Sequence, residues 1–337
     1  MRECVMQKQE KLLLVGGDIA TPDVIKYCRE IGVYTIMTND IPRENNPYKQ
    51  MADEAWEIPV EELDILEAKC REVGVTGVFS GVNEHNIDMT QELAKRLGLP
   101  FYASDEGWAC NRDKGRFKEH CRAVGLDVPK RYPLSKPFAA EILKQIAYPV
   151  IVKPDIGVGA AKTYKLKCEE DVHAFYNELP NIQYIMEEFI EGTIVSFDGI
   201  SGNDAEVIFA TSNEFPPSIM DIVNTNDHLA YHTVKEVSPV LRDCGERVLK
   251  AFNARNRFFH LEFFRLTKAK KGLGEVGDIV ALEVNMRAPG GYTPDMINYA
   301  NSVDVYQIWA DMVCHDKGFF DPEHRPYGIA YASQRKN

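Results

Sequence analysis

The sequence predicts a protein of mixed class, α/β and α+β, in which a Rossmann-like domain precedes two α+β lobes with a cleft between them. Strand and helix signals alternate over the first hundred residues, and strand-rich and helix-rich stretches follow one another from Asp105 onward. Strands that alternate with helices predict a parallel sheet covered on both faces. A length of 337 residues also corresponds to about two domains.

The first domain is predicted from four short apolar strands and the helices between them. Thr21, Pro22 and Asp23 open the first helix, with Thr21 as the predicted N-cap and Pro22 at the first helical position. Two more helices, with apolar residues at helical spacing, are expected on either side of the fourth strand, at 61–73 and 84–97. The strands are expected at 11–15, 33–37, 55–58 and 77–80.

The turn after the first strand argues against a dinucleotide cofactor. Gly16 and Gly17 lack the glycine spacing with which Rossmann domains approach a pyrophosphate. Asp40 follows the second strand and could imitate a ribose-binding acid, so a nucleotide-binding oxidoreductase is one hypothesis. A tight strand-to-loop turn explains the two glycines better.

The second part is predicted to mix strands, helices and loops. Ser238 and Pro239 open one helix, and Thr293 is expected to cap the final helix. A loop-rich stretch at 213–236 is interpreted as a lid or binding loop, because more than about twelve residues without structure are uncommon in a compact domain. Further helices are expected at 111–125 and 169–179, and strands at 147–153, 162–167, 182–187, 192–211, 257–266 and 278–287.

Composition restricts the partners. Lys and Arg total 39 against 51 Asp and Glu, so the net charge is −12, which is unsuited to general binding of nucleic acid or anionic membranes. No apolar run approaches the roughly 18 residues of a membrane span, and no secretory signal is recognised, so a cytoplasmic location is expected. The eight cysteines are scattered without close pairs, which predicts reduced structural thiols rather than disulfides or a zinc site. A homodimer is compatible with the sequence.

The strongest chemical signal is a pair of strands with polar residues at alternate positions. Alternation places His260 and Glu262 on one face of the first strand, and Glu283, Asn285 and Arg287 on one face of the second. The residues between the strands are turn-like, which predicts an antiparallel hairpin. If the polar faces coincide, the two glutamates and the asparagine converge.

Such a convergence is typical of a site for a hard divalent cation. Two carboxylates in a partly buried site repel each other and lose hydration. Glu262, Glu283 and Asn285 supply oxygen ligands that suit Mg²⁺ or Mn²⁺, with water and phosphate oxygens completing the set. The alternative is a hairpin with both glutamates in solvent. It fits poorly, because a solvated face rarely has Glu, Asn and Arg at alternate positions directly before the Pro-Gly-Gly segment at 289–291.

Two further segments are suited to binding a nucleotide. Lys153 ends an apolar strand, where its charge could meet a phosphate, and Gly157 and Gly159 follow in a loop whose backbone amides could do the same. A P-loop is excluded because Lys162 and Thr163 open a strand rather than a helix.

The third segment is a strand end with a polar edge and apolar flanks, which could hold an adenine ring. Backbone groups and the Glu187 carboxylate would bond the base edge, while Phe189 and Ile190 would supply apolar contact. An ordinary strand-to-turn junction is the alternative.

These three segments, in this order, resemble the ATP-grasp superfamily, especially its carboxylate–amine ligases and its members similar to carbamoyl-phosphate synthase. The resemblance covers nearly the whole chain and implies a two-lobed ATP-grasp fold with ATP and Mg²⁺ or Mn²⁺ as cofactors. It also implies three domains: a Rossmann-like pre-ATP-grasp domain at 1–105, an N-terminal lobe with a glycine-rich lid at 106–190, and a C-terminal lobe with the metal site at 191–337.

The resemblance carries over to individual positions. Lys114, with Asp113 and Lys118 nearby, sits where the family has its first phosphate-contacting lysine, and Lys153 matches the second. Glu187 is implied at the exocyclic amine of adenine. The other implied nucleotide contacts are Gly157, Gly159, Phe189, Ile190 and Glu191. The implied metal ligands are Glu262, Glu283 and Asn285.

The sequence departs from the family pattern in two places, the first being the glycine loop, which has alanine at Ala160 and Ala161. Ile194 stands where the family often has an acid that holds the ribose hydroxyls. Glu191 is the residue that could replace that acid.

The resemblance further implies a reaction. A substrate carboxylate attacks the γ-phosphate of ATP, and an amine then displaces phosphate from the acyl phosphate to make an amide. Arg287 and Lys153 are the implied catalytic residues, with Arg287 forked onto the transferred phosphate. The implied partners are therefore a small carboxylate, such as an amino acid, and an amine.

The residues that bind these substrates are less well defined. Glu84 could hold an ammonium group, or it could simply be a favourable acid at a helix N-terminus. Gly290 and Gly291 lead into a helix N-terminus that could hold a carboxylate. His232 lies in the predicted binding loop, where a surface role is the alternative.

Two other functions are weighed against this ligase. A variant that activates bicarbonate, as in carboxylase or carbamoyl-phosphate chemistry, is weakened because only one ATP-grasp unit is recognised, without a biotin-carrier or ammonia-channel partner. A non-catalytic ATP sensor is opposed by the intact set of Glu262, Glu283, Asn285 and Arg287.

Overall fold

The computed structural model describes residues 9–99, 107–109, 113–134, 140–155, 162–178, 183–216, 228–315, 318 and 327–333. Three β-sheets are present in this part of the chain: one four-stranded parallel sheet, one four-stranded antiparallel sheet and one seven-stranded sheet. No helix in the same ranges is long and apolar enough to cross a membrane. Six of the eight cysteines fall in these ranges, and all six are free thiols.

The first sheet confirms the predicted parallel arrangement, with strand order β3-β2-β1-β4. Its central strand is buried on both faces, since Leu12, Leu13 and Leu14 are all inaccessible to solvent, as a continuous apolar run predicts. The strands are β1 (Lys11–Val15), β2 (Tyr34–Thr38), β3 (Glu54–Trp56) and β4 (Gly77–Phe79). The helices are α1 (Thr21–Glu30), α2 (Pro47–Met51), α3 (Leu63–Val73) and α4 (Glu84–Leu97), with a 3₁₀ turn at Arg43–Asn45.

The predicted N-cap of α1 is wrong. Helix α1 begins at Thr21 itself, and Thr21 Oγ1 accepts a hydrogen bond from the backbone N–H of Asp18 (2.8 Å). The Asp18 carboxylate, a stronger acceptor than a hydroxyl, instead accepts from the N–H groups of Ala20 (3.1 Å) and Val82 (2.6 Å). Asp18 therefore ties the turn after β1 to the turn after β4, at the carboxyl edge of the sheet.

The second sheet is antiparallel, with strand order β5-β8-β6-β7, and it has an apolar core of its own. This lobe contains most of the predicted elements between 111 and 190. The strands are β5 (Arg131–Tyr132), β6 (Val150–Pro154), β7 (Tyr164–Leu166) and β8 (Tyr184–Glu188). The helices are α5 (Lys114–Ala123) and α6 (Glu169–Asn177), with a 3₁₀ segment at Ala140–Lys144.

The third sheet has the strand order β14-β13-β9-β11-β12-β15. Strand β10 pairs with residues 198–201 of β9, beyond the part that pairs with β11. Strand β13 has the predicted bounds. The strands are β9 (Gly192–Ser201), β10 (Val207–Thr211), β11 (Asn213–Phe215), β12 (Leu229–Thr233), β13 (Arg257–Leu266), β14 (Ile279–Asn285) and β15 (Ala330–Ser333). The helices are α7 (Pro239–Ala251), α8 (Thr293–Asn301) and α9 (Val305–His315).

Two predictions about this region are corrected. The stretch 213–236 is not a loop throughout, because β11 and β12 occupy its two ends and pair with each other; residues 217–227 lie outside the described part. Helix α8 is followed by α9, so α8 is not the final helix. Its N-cap is Tyr292 rather than Thr293, whose hydroxyl is hydrogen bonded to the Tyr231 hydroxyl (2.7 Å).

Helix α9 joins the first sheet to the third. The Trp309 ring lies 4.3 Å from the Phe79 ring of β4 and 4.6 Å from the Phe258 ring of β13, measured between centroids. Ile200 of β9 belongs to the same core cluster as the apolar residues of the first sheet. On its opposite face, the third sheet packs against α5 and α7 through Phe197, Phe259 and their neighbours.

Candidate active site

A cleft of about 670 Å³ lies between the second and third sheets. Its walls are the ends of β6 and β8 on one side and one face of the third sheet on the other. Nine residues of the predicted site line it: Lys114, Lys153, Glu187, Phe189, Ile190, Glu262, Glu283, Asn285 and Arg287. Glu191, Gly290 and Gly291 line it as well, whereas Gly157 and Gly159 lie outside the described residues.

The cleft floor is built from side chains that align across neighbouring strands. Because side chains alternate along a strand, positions in register share a face. An apolar row contains Phe264, Ile194, Phe215, Tyr231 and Tyr331. A carboxylate row contains Glu283, Glu262, Ser196 and Asn213. An inner row contains Asn285, His260, Asp198 and Thr211.

The carboxylate row confirms that the polar faces of β13 and β14 coincide, since Glu262 stands opposite Glu283. Burial and the Glu262 charge raise the pKa of Glu283, although Lys114 Nζ lies 3.6 Å from its Oε1 atom and acts in the other direction. Burial would also raise the pKa of Glu262, but His260 and Arg287 outweigh it and lower that pKa. Burial therefore prevails over the neighbouring cations at Glu283, whereas the cations prevail over burial at Glu262.

This donor set fits a hard divalent cation. Two carboxylates and the Asn285 amide provide oxygen ligands, and a dication would offset the burial and the Glu262 charge that raise the pKa of Glu283. Within the described ranges, no group of three or more His, Cys, Asp or Glu side chains is arranged as a metal site. A cation at Glu262 and Glu283 would accordingly need oxygens from the amide, water and phosphate to complete its coordination.

His260 stands between two carboxylates. Its Nδ1 atom lies 2.5 Å from Asp198 Oδ1 and its Nε2 atom 3.3 Å from Glu262 Oε1. Burial alone would lower the pKa of His260, but the two carboxylates outweigh it and raise the pKa to about 10. The two carboxylates therefore favour the charged imidazole, which forms an ion pair with each of them.

The second-sheet wall carries a buried cluster of two lysines and one glutamate. Lys118 Nζ lies 2.6 Å and 2.5 Å from the two carboxylate oxygens of Glu187, and Lys153 Nζ lies 3.1 Å from Oε2. Despite burial, the two ammonium groups lower the pKa of Glu187 to about 2. Burial, together with the Lys153 charge, lowers the pKa of Lys118 to about 7, whereas Glu187 and Glu283 raise that of Lys153.

This cluster changes the interpretation of Glu187. Both of its oxygens are engaged by lysines and the residue is 3% exposed, so the geometry does not support the implied contact with an adenine amine. Glu187 instead fixes the ammonium of Lys153 in the cleft. Lys118, to which the sequence assigned no separate role, completes this arrangement.

The segment after β8 contacts the lysine-rich turn between β13 and β14. Lys270 Nζ donates to the Phe189 carbonyl (2.7 Å) and pairs with Glu188 (2.8 Å). Lys165 lies over the Phe189 ring, with Nζ 3.5 Å from the centroid. Glu191 is exposed at the rim and pairs with Lys268 (3.3 Å).

Ile194 is part of the apolar row, flanked by Phe264 and Phe215. The position at which the family often has a ribose-binding acid is therefore hydrophobic. Glu191, directly before β9, is an acid that lines the cleft three residues earlier.

Arg287 connects the cleft to the first domain. Its Nε atom lies 3.6 Å from Glu84 Oε1 at the start of α4, and its Nη1 atom donates to the Ala288 carbonyl (3.0 Å). Glu84 thus reaches Arg287 without lining the cleft itself. Beyond Arg287, a side chain at Gly290 would meet no atom within 4 Å, and Gly291 has a positive φ of +62° that favours glycine.

His232 is not part of this site. It pairs with Glu214 on the opposite face of the third sheet, and Tyr231, its neighbour in sequence, faces the cleft instead. Alternation along β12 places the two side chains on opposite faces, and a predicted loop has no such alternation.

Sequence reasoning missed Asp198, which lies fully buried in the inner row. The available signal was the alternation of Ser196 and Asp198 within an otherwise apolar strand, where a buried carboxylate requires partners.

Comparisons with known proteins agree with this geometry. Residues 111–231 match the family described as "ATP-grasp domain". The carbamoyl phosphate synthase large chain of Thermoanaerobacter pseudethanolicus is 22% identical over 305 residues, which is 86% of this chain but 26% of that protein. The chain therefore spans about a quarter of the length of this curated relative.

Solved structures share the fold at low sequence identity. An L-amino acid ligase from Bacillus licheniformis superposes with a TM-score of 0.73 at 15% identity, over 96% of this chain and 79% of that one. A phosphoribosylglycinamide synthetase from Anaerococcus prevotii gives a TM-score of 0.68 at 18% identity, over 91% and 75%. Residues 111–231 therefore match the ATP-grasp domain, and the chain shares its fold with these solved structures.

Proposed function

We propose that this protein is an ATP-dependent ligase that activates a small carboxylate as an acyl phosphate and joins it to an amine, releasing ADP and phosphate. The observation that carries the proposal is the position of Glu262 opposite Glu283 in one cleft with Lys114, Lys153 and Arg287. Phosphoryl transfer needs chiefly positioning of the reactants and neutralisation of the charge on the phosphoryl group. This cleft brings three cationic side chains together in an otherwise acidic protein.

The proposed binding of ATP follows the walls of the cleft. The base would lie against Ile190, Phe264 and Leu282, where the lining is apolar. The triphosphate would extend toward Lys153, whose ammonium is fixed by Glu187, and toward Lys114. Glu191 and the backbone beside Ile194 are the candidate contacts of the ribose at the rim.

Glu262, Glu283 and Asn285 would hold Mg²⁺ or Mn²⁺. When bound, the cation supplies Lewis-acid neutralisation of phosphate oxygens. The chain's own cations act on the same charge: Lys153 and Lys114 lie beside Glu187 and Glu283, and Arg287 presents a planar fork suited to a phosphoryl group.

The two reaction steps balance without a covalent enzyme intermediate. In the first, a carboxylate oxygen attacks the γ-phosphorus, the bond to the β-phosphate oxygen breaks, and ADP leaves. In the second, the amine nitrogen attacks the acyl carbon, the bond to the phosphate oxygen breaks, and a proton leaves the nitrogen. Glu84, beside Arg287, is the candidate anchor of an ammonium group, and the open backbone at Gly290 and Gly291 is the candidate place for the carboxylate.

The domain division proposed is the one expected above, with boundaries at 105 and 190. The first sheet, the second sheet and the third sheet fall one in each part. The proposed partners are small molecules. A ligase acting on L-amino acids is among the structural neighbours, and it favours an amino acid as one substrate.

A second candidate is the activation of bicarbonate, as in carbamoyl-phosphate or carboxylase chemistry. Similarity to carbamoyl phosphate synthase large chains over 86% of this chain favours it. It uses the same cleft and the same first step, so the two candidates differ in the carboxylate that accepts the phosphoryl group.

A phosphate-release assay with ATP and Mg²⁺ distinguishes these candidates. Pooled amino acids, bicarbonate with ammonia, and buffer alone would be compared, and products identified by mass spectrometry. Phosphate release that requires one carboxylate and one amine, with an amide product, supports the ligase. Release that requires only bicarbonate supports the second candidate, and nucleotide binding without turnover in any pool contradicts both.

A further inference from the structure

A chain of buried hydrogen bonds along the cleft floor links Asn213, Asp198 and His260, and an ion pair continues it to Glu262. Asp198 is at its centre and is inaccessible to solvent. Its Oδ2 atom accepts from Asn213 Nδ2 (2.8 Å) and from the Ser196 hydroxyl, and its Oδ1 atom accepts from His260 Nδ1 (2.5 Å). Both carboxylate oxygens are therefore satisfied by neighbouring strands.

The chain continues through His260 to the cleft. The second ring nitrogen, Nε2, lies 3.3 Å from Glu262 Oε1 and reaches the carboxylate row. With Nδ1 engaged by Asp198, the imidazole cannot rotate without breaking a buried hydrogen bond. His260, which Asp198 holds in place, therefore restricts the position of Glu262 Oε1.

Stability alone gives little reason for this arrangement. Apolar side chains of similar size often stabilise a core as well as a buried ion pair, or better. The opposite face of the same strands is filled with Phe197, Phe259 and Leu261, so apolar packing is available to this sheet. The polar chain instead ends at a carboxylate in the cleft.

We propose that Asp198 and His260 are positioning residues for Glu262, which they orient for a divalent cation bound with the nucleotide. Partners of this kind commonly orient metal ligands, and their loss typically weakens metal affinity by about 10- to 100-fold. The inference rests on the proposed function in taking Glu262 as a metal ligand. It adds two residues that would act on the cation through Glu262 rather than as its ligands.

The test is the affinity for Mn²⁺ in the presence of ADP, measured on the full chain by electron paramagnetic resonance of free Mn²⁺. We expect His260→Ala to weaken Mn²⁺ binding by about 10- to 100-fold. His260→Gln, whose amide can still donate toward Glu262, should recover most of the affinity. ADP binding without metal should be the same in all three proteins, which a general structural defect would not produce.

A second variant covers the case in which His260→Ala does not fold. Asp198→Asn keeps the side-chain volume and removes the charge that holds the imidazole, so it should also weaken Mn²⁺ binding. The matched control is Glu214→Gln, which breaks the pairing with Arg265 on the opposite face of the sheet and should leave Mn²⁺ affinity unchanged.

The outcomes separate this inference from the proposed function. Mn²⁺ affinities of His260→Ala or Asp198→Asn within about twofold of the parent, in folded protein, would overturn the positioning role and leave the ligase intact. Failure of the parent itself to bind Mn²⁺ with ADP would overturn the metal site and, with it, this inference.

Discussion

Glu262 and Glu283 face each other at registered positions on β13 and β14, on the floor of the cleft. Two carboxylates opposed in this way destabilise each other unless a cation lies nearby. Burial and the Glu262 charge raise the pKa of Glu283, whereas His260 and Arg287 lower the pKa of Glu262.

The first prediction concerns Glu283→Gln. The amide retains the shape of the side chain but removes the negative charge, so phosphate release should fall by on the order of 100-fold or more. Thermal unfolding without metal should occur at the same or a higher temperature, because the repulsion with Glu262 is removed. Glu214→Gln, on the opposite face of the sheet, is the control. Turnover near the parent rate would remove Glu283 from the metal site.

The second prediction concerns Arg287→Lys. Lysine keeps the charge but not the planar fork, so kcat should fall by on the order of 100-fold while ADP affinity changes little. Steady-state kinetics and calorimetry of ADP binding measure the two effects separately. Equal losses in ADP affinity and kcat would instead indicate that Arg287 holds the nucleotide in the ground state.

The third prediction concerns Glu84→Gln. If Glu84 anchors an ammonium group, loss of its charge should raise the KM of that substrate by about 10- to 100-fold, since a hydrogen bond to a charged group contributes about 1.5–3 kcal/mol. The KM of ATP should not change. Glu61→Gln, at an exposed position that contacts His85, is the control. An unchanged KM for both substrates would leave Glu84 as a helix N-terminal acid.

The fourth prediction is a pH dependence of stability that originates at Lys118. Its pKa is about 7 in the folded protein against 10.5 for an ordinary lysine. Between these values the unfolded chain binds a proton that the folded protein does not, so stability from this group rises with pH. The difference in unfolding free energy between the parent and Lys118→Met should increase over this window by up to about 1.4 kcal/mol per pH unit.

Urea denaturation from about pH 6 to about pH 9.5 checks this prediction. His260 acts in the opposite direction, because its raised pKa contributes stability that is lost as pH rises toward about 10, but it is present in both proteins and cancels in the difference. Lys250→Met, at an exposed position of α7, should show no such slope. A pH-independent difference for Lys118→Met would mean that Lys118 is charged in the folded protein at neutral pH.

The order of elements and the cleft floor could largely be predicted from the sequence because they depend on local periodicity. Strand β1, strand β13 and helix α4 have the predicted bounds, since each has a strong apolar repeat. The coincidence of Glu262 and Glu283 followed from alternation in two strands joined by a recognisable turn.

Contacts between distant segments could not be predicted in the same way. Lys118 and Glu187 are 69 residues apart, and Asp198 and His260 are 62 apart, so no periodicity links them. The assignment of His232 failed for a related reason. Alternation assigns the side chains of a strand to a face only once the strand is recognised, and β12 lies within the stretch 213–236, which is predicted to be a loop.

The packing of Trp309 between Phe79 and Phe258 affects how the molecule could move. It merges the first sheet and one end of the third sheet into a single core, whereas the second sheet keeps a separate one. Domain motion follows the boundaries between such cores. We therefore expect the second-sheet lobe, which carries Lys153, to move as a unit toward the nucleotide. Arg287, Glu84 and the paired glutamates should keep their mutual distances during that motion.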